Sequence, residues 1–210
     1  MTNQPRLYCI LDLGYVPEAD ADRVATELIG GGADLLQLRA KNRDLGVIEA
    51  VARRVLPLCQ AAGVPFILND HPALAAALGC DGVHLGQDDT SLSEARHLTG
   101  KGMLIGRSTH SLAQARAALA DGFDYIGFGP LFPTPTKAGR PAIGLDDIAA
   151  MEREVGTRIP AFCIGGIHPA NLCEVLAAGA RRIVMVSALL QAPDIQAATR
   201  SVAAVMQARG

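Results

Sequence analysis

The sequence predicts an α/β fold, a single (β/α)8 barrel of the TIM type that spans residues 1–210 as one domain. Eight short apolar runs alternate with helical stretches, and each run ends in a polar or glycine-rich turn. Strand alternating with helix indicates a parallel sheet, because each parallel return needs a crossover connection. Eight such units are the number that closes a barrel. The runs cover residues 7–13, 34–39, 65–70, 82–87, 104–108, 125–130, 161–166 and 182–187.

The helical stretches have the apolar spacing of helices packed against a barrel. In the second and last stretches, apolar residues recur every three or four positions, as on one face of a helix. These residues are Ile48, Val51, Val55 and Leu58, and then Ile195, Ala198, Val202, Val205 and Met206. The run 161–164 has no alternating polar residue, which is typical of a strand buried on both faces. The longest irregular stretch is 131–143, and its length indicates a binding loop.

Composition excludes several classes of function. The 210 residues are 50% hydrophobic, carry a net charge of −2 and include no Trp. We therefore expect no nucleic-acid partner, because the chain has neither an excess of basic residues nor the aromatic residues on which bases stack. No run approaches the ~20 apolar residues of a membrane span, so we expect a cytoplasmic protein without a membrane partner. The five cysteines form no Cys-x-x-Cys pair, which argues against a disulfide framework. The sequence leaves open whether the protein forms a homo-oligomer.

Carboxylates follow two neighbouring strands of the predicted barrel. Asn69 and Asp70 end the third run, and Asp88 and Asp89 follow the fourth. Strands consecutive in sequence are neighbours in such a barrel, so these side chains can converge at its C-terminal mouth. Two carboxylates with positions left for substrate oxygens are a usual way to hold Mg²⁺ beside phosphates. The alternative is that they cap the third and fourth helices. Their occurrence as a pair favours the metal.

Two cationic residues lie at the end of the second strand and just after it. Alternation along a strand points Gln37 and Arg39 into the barrel. An inward Arg at the barrel mouth needs an anion, and Lys41 lies just beyond it. The alternative for Arg39 is a structural salt bridge to a neighbouring Asp.

Glycines follow the seventh strand and a serine follows the eighth. Gly165 and Gly166 lie in the seventh βα loop, and Ser187 lies in the eighth. These two loops form the phosphate site of many barrels, and paired glycines let backbone N–H groups approach phosphate oxygens closely. The sequence therefore predicts a phosphate site here.

The loop after the sixth strand presents Thr134, Thr136 and Lys137 on a proline-stiffened backbone. Its prolines limit the entropy of the unfolded loop, which favours a loop ordered for a ligand over a solvated turn. Among the histidines, His84 is interpreted as a packed strand residue. His110 is interpreted as either a catalytic residue or a cap of the fifth helix. No Cys/His cluster indicates zinc.

Six motifs in this order resemble those of the thiamine-phosphate synthase (thiamine-phosphate pyrophosphorylase) family, over residues 7 to about 190. They are QLRAK at 37–41, ND at 69–70, HLGQDD at 84–89, GRSTH at 106–110, GPLFPTPTK at 129–137 and IGGI at 164–167. Each motif alone is modest, but six of them on the expected strands are specific. The resemblance implies a transferase. It would join 4-amino-2-methyl-5-(diphosphooxymethyl)pyrimidine to thiazole phosphate and release pyrophosphate.

The resemblance also implies roles for individual residues. The pyrimidine diphosphate would be bound by Arg39, Lys41, Asn69 and Lys137, with Ser108 beside it, and Gln37 would be a further substrate-binding residue. Mg²⁺ would be held by Asp70 and Asp89, and Asp88 would fill a variable position between Gln87 and Asp89. The thiazole phosphate would be bound by Thr134, Thr136, Gly166, Val186 and Ser187.

The implied chemistry needs charge stabilisation and no protein nucleophile. A departing diphosphate needs its charge neutralised, which Mg²⁺ and the three cations Arg39, Lys41 and Lys137 would supply. One alternative is a thiazole tautomerase of the same barrel group, which typically has a His after the strand-six glycine, where this chain has Pro130. Another alternative is a non-catalytic sensor of phosphorylated ligands, which would not need an aspartate pair. Pro130 disfavours the first alternative, and the presence of both Asp70 and Asp89 disfavours the second.

Overall fold

The chain folds into a closed barrel of eight parallel strands that neighbour one another in sequence order. The computed structural model describes residues 5–134 and 141–208. The strands are β1 (Leu7–Asp12), β2 (Leu35–Arg39), β3 (Phe66–Asn69), β4 (Gly82–Leu85), β5 (Leu104–Thr109), β6 (Tyr125–Phe128), β7 (Ala161–Cys163) and β8 (Ile183–Met185). Strand β8 pairs with β1 and closes the barrel, which confirms the predicted fold class.

Helices follow the strands and cover the barrel. They are α1 (Ala21–Gly30), α2 (Leu45–Ala62), α3 (Pro72–Leu78), α4 (Leu92–Thr99), α5 (Leu112–Asp121), α6 (Ile148–Met151), α7 (Leu172–Ala177), α8 (Ser187–Leu190) and α9 (Ile195–Gln207). A 3-10 turn at Glu18–Asp20 precedes α1, and a π-helical turn at Glu152–Gly156 follows α6. Helix α1 contacts both α2 and α9, so the last helix closes the outer layer. Across the described ranges, no helix is both long and apolar enough to cross a membrane.

Alternation along the strands divides the apolar residues into two cores. Inward-facing side chains fill the barrel and form a cluster of Tyr8, Ile10, Leu35, Ile67, Tyr125, Phe162 and Val184. Outward-facing side chains pack against the helices in a larger core. This cluster fills much of the barrel interior, and the space for a ligand lies near the C-terminal ends of the strands.

Several strands end earlier than their apolar runs. The seventh run extends to residue 166, but β7 ends at Cys163 and the chain turns at Gly165 (φ 100°) and Gly166 (φ 66°). The third run includes Asp70, but Asp70 has φ 69° and lies outside β3. A left-handed backbone cannot continue strand pairing. The residues that leave the sheet in this way are among those that the sequence predicts for the site.

Gly106 makes room inside the barrel for the ring of Tyr125. A Cβ atom at Gly106 would lie 2.1 Å from Tyr125 Cζ, and that ring is held by edge contacts with Tyr8 and Phe162. We expect Gly106→Ala to lower the free energy of unfolding by ~1–3 kcal/mol, because the buried ring must shift. Chemical denaturation measures this. Gly102→Ala is the control, since a Cβ there meets open space. Equal effects of both changes would contradict the packing argument.

Candidate active site

A cavity opens at the C-terminal end of the barrel, and residues on or directly after all eight strands line it. It brings together eight of the residues predicted to bind substrate. These are Gln37, Arg39, Asn69, Ser108, Thr134, Gly166, Val186 and Ser187. Lys41, Asp70 and Asp89 are not lining residues and lie on the loops that follow β2, β3 and β4. Thr136 and Lys137 lie outside the described residues.

The two predicted metal-binding carboxylates meet in space. The side chains of Asp70 and Asp89 lie close enough to shift each other's pKa, and Lys41 Nζ forms an ion pair with Asp70 Oδ2. The backbone N–H of Gly86 donates to Asp89 Oδ2 at 2.6 Å. The backbone N–H of Asp70 donates to the carbonyl of His84 at 2.9 Å, which fixes the β3 end against β4. The carboxylates of the two neighbouring loops therefore converge as the sequence predicts.

The surroundings of Asp70 and Asp89 shift the pKa values of the two carboxyl groups in opposite directions. Burial, together with the neighbouring Asp89, raises the pKa of Asp70 above its ordinary value, although the Lys41 ion pair acts in the opposite direction. Burial also opposes ionisation of Asp89. However, the Gly86 N–H, the interaction with Asp70 and the charges of Lys41 and Arg107 outweigh it, so the pKa of Asp89 lies below its ordinary value. The two neighbouring carboxyl groups therefore have pKa values shifted in opposite directions.

The alternative role of these aspartates as helix caps is wrong. Helix α3 begins after His71, and no side chain caps it. Helix α4 begins after Ser91, whose hydroxyl accepts from the Glu94 N–H at 3.3 Å. Asp89 instead binds the backbone of its own loop at Gly86.

Within residues 5–134 and 141–208, no group of three or more His, Cys, Asp and Glu side chains could hold a metal ion. The aspartate pair therefore could not enclose a metal by itself. Mg²⁺ is usually bound by one or two carboxylates together with substrate phosphates and water. A pair of converging aspartates fits that ligand set.

Arg39 forms the salt bridge that is its alternative interpretation, and it also lines the cavity. Its Nη1 donates to Asp12 Oδ2 at 2.5 Å. Asp12 is 1% exposed, and its Oδ1 accepts from the Gly14 N–H at 2.9 Å. Asp12 is not among the residues that the sequence motifs single out. The sequence does contain one indication of its role: Asp12 lies on the same inward face of β1 as Tyr8 and Ile10.

The structure confirms His84 as a packed residue and excludes one of the two roles interpreted for His110. His84 is buried as predicted, but it also lines the cavity and its Nε2 lies 3.0 Å from Ser108 Oγ. His110 is not a lining residue, and its Nδ1 donates to the carbonyl of Gly129 at 2.5 Å. The side chain that caps α5 belongs to Ser111, which accepts from the Gln114 N–H at 3.2 Å. The helix-cap role of His110 is therefore wrong.

The loops after β6 and β7 lie directly against each other. The N–H of Leu131 donates to the carbonyl of Ile164 at 2.9 Å, and that of Phe132 donates to Gly165 at 3.1 Å. A Cβ at Gly165 would lie 2.4 Å from Pro130 Cα, so only glycine allows this approach at its positive φ. The contact holds the start of the loop that carries Thr134 over the cavity.

Comparisons with known proteins identify the family of the chain. Residues 7–189 match the family model described as thiamine monophosphate synthase. A thiamine-phosphate synthase of Thermus thermophilus is 48% identical over 198 residues, which are 93% of this chain and 94% of that protein. The Methanospirillum hungatei thiamine-phosphate synthase is 42% identical over 201 residues, which are 95% of this chain and 97% of that protein.

A solved structure shows the same fold. The thiamine phosphate pyrophosphorylase from Pyrococcus furiosus superposes with a TM-score of 0.88 and 31% sequence identity. The match covers 98% of this chain and 97% of that one. The barrel, the order of its motifs and these relatives agree: the chain belongs to the thiamine monophosphate synthase family and is a transferase.

Proposed function

We propose that the protein condenses 4-amino-2-methyl-5-(diphosphooxymethyl)pyrimidine with thiazole phosphate in a dissociative substitution assisted by Mg²⁺. The products are thiamine phosphate and pyrophosphate. The observation that carries the proposal is the convergence of Arg39, Lys41 and the Asp70–Asp89 pair at one barrel mouth. A site with this mixture of charges suits a polyanionic leaving group held with a divalent cation.

The cationic residues would bind the diphosphate. Arg39 reaches the cavity from the end of β2, and Lys41 lies two residues further on. Both are paired with carboxylates, Arg39 with Asp12 and Lys41 with Asp70. These contacts would hold the two cations in place before the anion arrives, so less reorganisation is needed on binding. Asn69 would add a neutral hydrogen-bonding group, and Lys137 would complete the set from its loop.

Asp70 and Asp89 would hold the Mg²⁺. The two carboxylates lie beside each other, and a divalent cation suits such a pair because it can neutralise the charge of both. When bound, Mg²⁺ neutralises negative charge on the diphosphate oxygens and so makes the diphosphate a better leaving group. The N–H of Gly86 would keep Asp89 oriented when the cation binds.

The remaining lining residues would hold the two rings. Gln37 and Ser108 lie inside the barrel mouth and would contact the pyrimidine. Thr134, Gly166, Val186 and Ser187 line the same cavity, and with Thr136 they would bind the thiazole phosphate. At Gly166 the positive φ and the missing side chain leave backbone groups open to the phosphate oxygens.

Bond breaking would precede bond making. The bond between the pyrimidine methylene carbon and the diphosphate oxygen breaks, and its electron pair leaves with the diphosphate. The 4-amino group donates electron density to the ring and stabilises the methylene cation. The lone pair of the thiazole nitrogen then forms the new C–N bond. This sequence needs no protein nucleophile, and none of the described lining residues is a Cys or Lys.

Neither alternative function gains support from the site. Gly129 is followed by Pro130, which has no group able to transfer a proton, where the tautomerase typically has a His. A phosphate sensor would not need the converging Asp70 and Asp89.

A direct assay tests the proposal. We expect the purified protein to form thiamine phosphate and pyrophosphate in equal amounts from the two substrates with Mg²⁺. Arg39→Ala should lower kcat/KM by ~10²-fold, because it removes charge stabilisation at the leaving group. Arg23→Ala is the matched control, since Arg23 is an exposed residue of α1 paired with Glu27. Binding of both substrates without any product would instead favour the sensor.

A further inference from the structure

A chain of hydrogen bonds crosses the barrel interior at the floor of the cavity. Gln37 Nε2 donates to the Tyr8 hydroxyl at 2.6 Å, and the hydroxyls of Tyr8 and Tyr125 lie 3.3 Å apart. The Tyr125 hydroxyl lies 3.2 Å from His84 Nδ1, and His84 Nε2 lies 3.0 Å from Ser108 Oγ. The chain therefore joins two residues of the proposed pyrimidine site through groups that are themselves buried.

With Gln37 Nε2 as the donor to the Tyr8 hydroxyl, the other bonds of the chain all take one direction, because an amide nitrogen can only donate. The Tyr8 oxygen accepts from Gln37, so its own proton is directed to Tyr125. The Tyr125 proton is then directed to His84 Nδ1, which places the imidazole proton on Nε2, facing Ser108. Burial raises the pKa of both tyrosines above their ordinary value, so both hydroxyls keep their protons.

The orientation of the Gln37 amide and the direction of the chain therefore depend on each other. An amide can turn by half a rotation and exchange its donor and acceptor ends at little steric cost. Here a turned amide would place Oε1 against the Tyr8 oxygen, and Tyr8 could donate to it only if the Tyr125 hydroxyl and the His84 tautomer reversed as well. With Nε2 bound to Tyr8, Oε1 remains as the acceptor that Gln37 offers to a ligand in the cavity. A hydrogen-bond acceptor at this place favours a ligand that presents a hydrogen-bond donor to it.

We propose that Tyr8 and Tyr125 are positioning residues that set the amide polarity of Gln37 and so select a 4-amino pyrimidine over its 4-oxo analogue. The inference rests on the proposed function, which places the pyrimidine beside Gln37. The amino group offers hydrogens to Oε1. The 4-oxo analogue has nearly the same size but presents an oxygen at that position, and two acceptors facing each other are unfavourable.

Binding rather than turnover is the appropriate measurement, because the amino group also drives the chemistry. We would titrate wild type, Tyr8→Phe and Tyr125→Phe by calorimetry with the 4-amino and the 4-oxo 5-hydroxymethyl-2-methylpyrimidine monophosphates. Wild type should bind the amino form ~10²-fold more tightly or better, as expected of a site built around one buried hydrogen bond. Tyr8→Phe removes the acceptor for Nε2, so its preference should fall below ~10-fold. Tyr125→Phe should give an intermediate ratio.

Phe162→Leu is the control, because Phe162 packs against both tyrosine rings without a polar atom. It should leave the ratio of the two affinities unchanged even if both weaken. A wild-type preference retained by Tyr8→Phe would overturn the inference. If Tyr8→Phe fails to fold, a wild-type preference in Tyr125→Phe overturns it equally. Equal wild-type binding of both analogues overturns the inference alone, whereas no binding of either overturns the proposed function with it.

Discussion

Replacing Asp89 by Asn is expected to lower turnover by ~10²-fold or more at ordinary Mg²⁺ concentrations, because one missing electrostatic contact at a leaving group has that cost. The amide keeps the size of the side chain and an oxygen that can accept from the Gly86 N–H. It removes the negative charge. Asp70→Asn should behave in the same way, and Asn tolerates the φ of 69° at that position. Pyrophosphate release measured against Mg²⁺ concentration gives the result.

The matched control is Asp88→Asn, which removes one negative charge from the same loop but leaves both proposed ligands in place. Its turnover should stay near that of wild type, and thermal unfolding should show all three variants folded. EDTA should stop wild-type turnover, and added Mg²⁺ should restore it. Wild-type turnover that is insensitive to EDTA would contradict the metal proposal directly, whatever the variants do.

The barrel could be predicted because its signal is repeated eight times along the chain. Each apolar run and its following turn encode one local unit, and the closed order of strands follows from adjacency. The same logic places Asp70 beside Asp89, since the ends of neighbouring strands must meet. Such site residues are predictable because their positions depend on topology alone.

Other parts of the site depend on contacts that no local pattern encodes. The bond between Tyr8 and Tyr125 joins the first strand to the sixth, across the inside of the barrel. Alternation predicts that each ring points inward but not which ring it meets. The pairing of Arg39 with Asp12 follows from strand register, which the apolar runs leave undefined by a residue or more.

A fluorinated 2-methyl group on the pyrimidine diphosphate is expected to slow turnover by orders of magnitude. In the dissociative sequence, positive charge develops on the methylene carbon and spreads into the ring. An electron-withdrawing group destabilises that charge, and each 1.36 kcal/mol added to the barrier slows the step about tenfold. Ground-state binding should change little, because the proposed contacts of Arg39 and Lys41 are with the diphosphate rather than with the methyl group. Rapid-quench single turnover separates the chemical step from binding and product release.

The opposite result would point to a different order of events. If the thiazole nitrogen attacked while the diphosphate was still bonded, little positive charge would develop and the fluorinated analogue would react as fast as the natural substrate. A protein group that assists the attack would then be needed. His110 would be one candidate, since its Nδ1 donates a hydrogen bond to the carbonyl of Gly129, a residue that lines the cavity. His110→Gln would slow turnover in that case. In the dissociative sequence it should leave the chemical step unchanged, because the departing diphosphate and the ring's own amino group account for the charge.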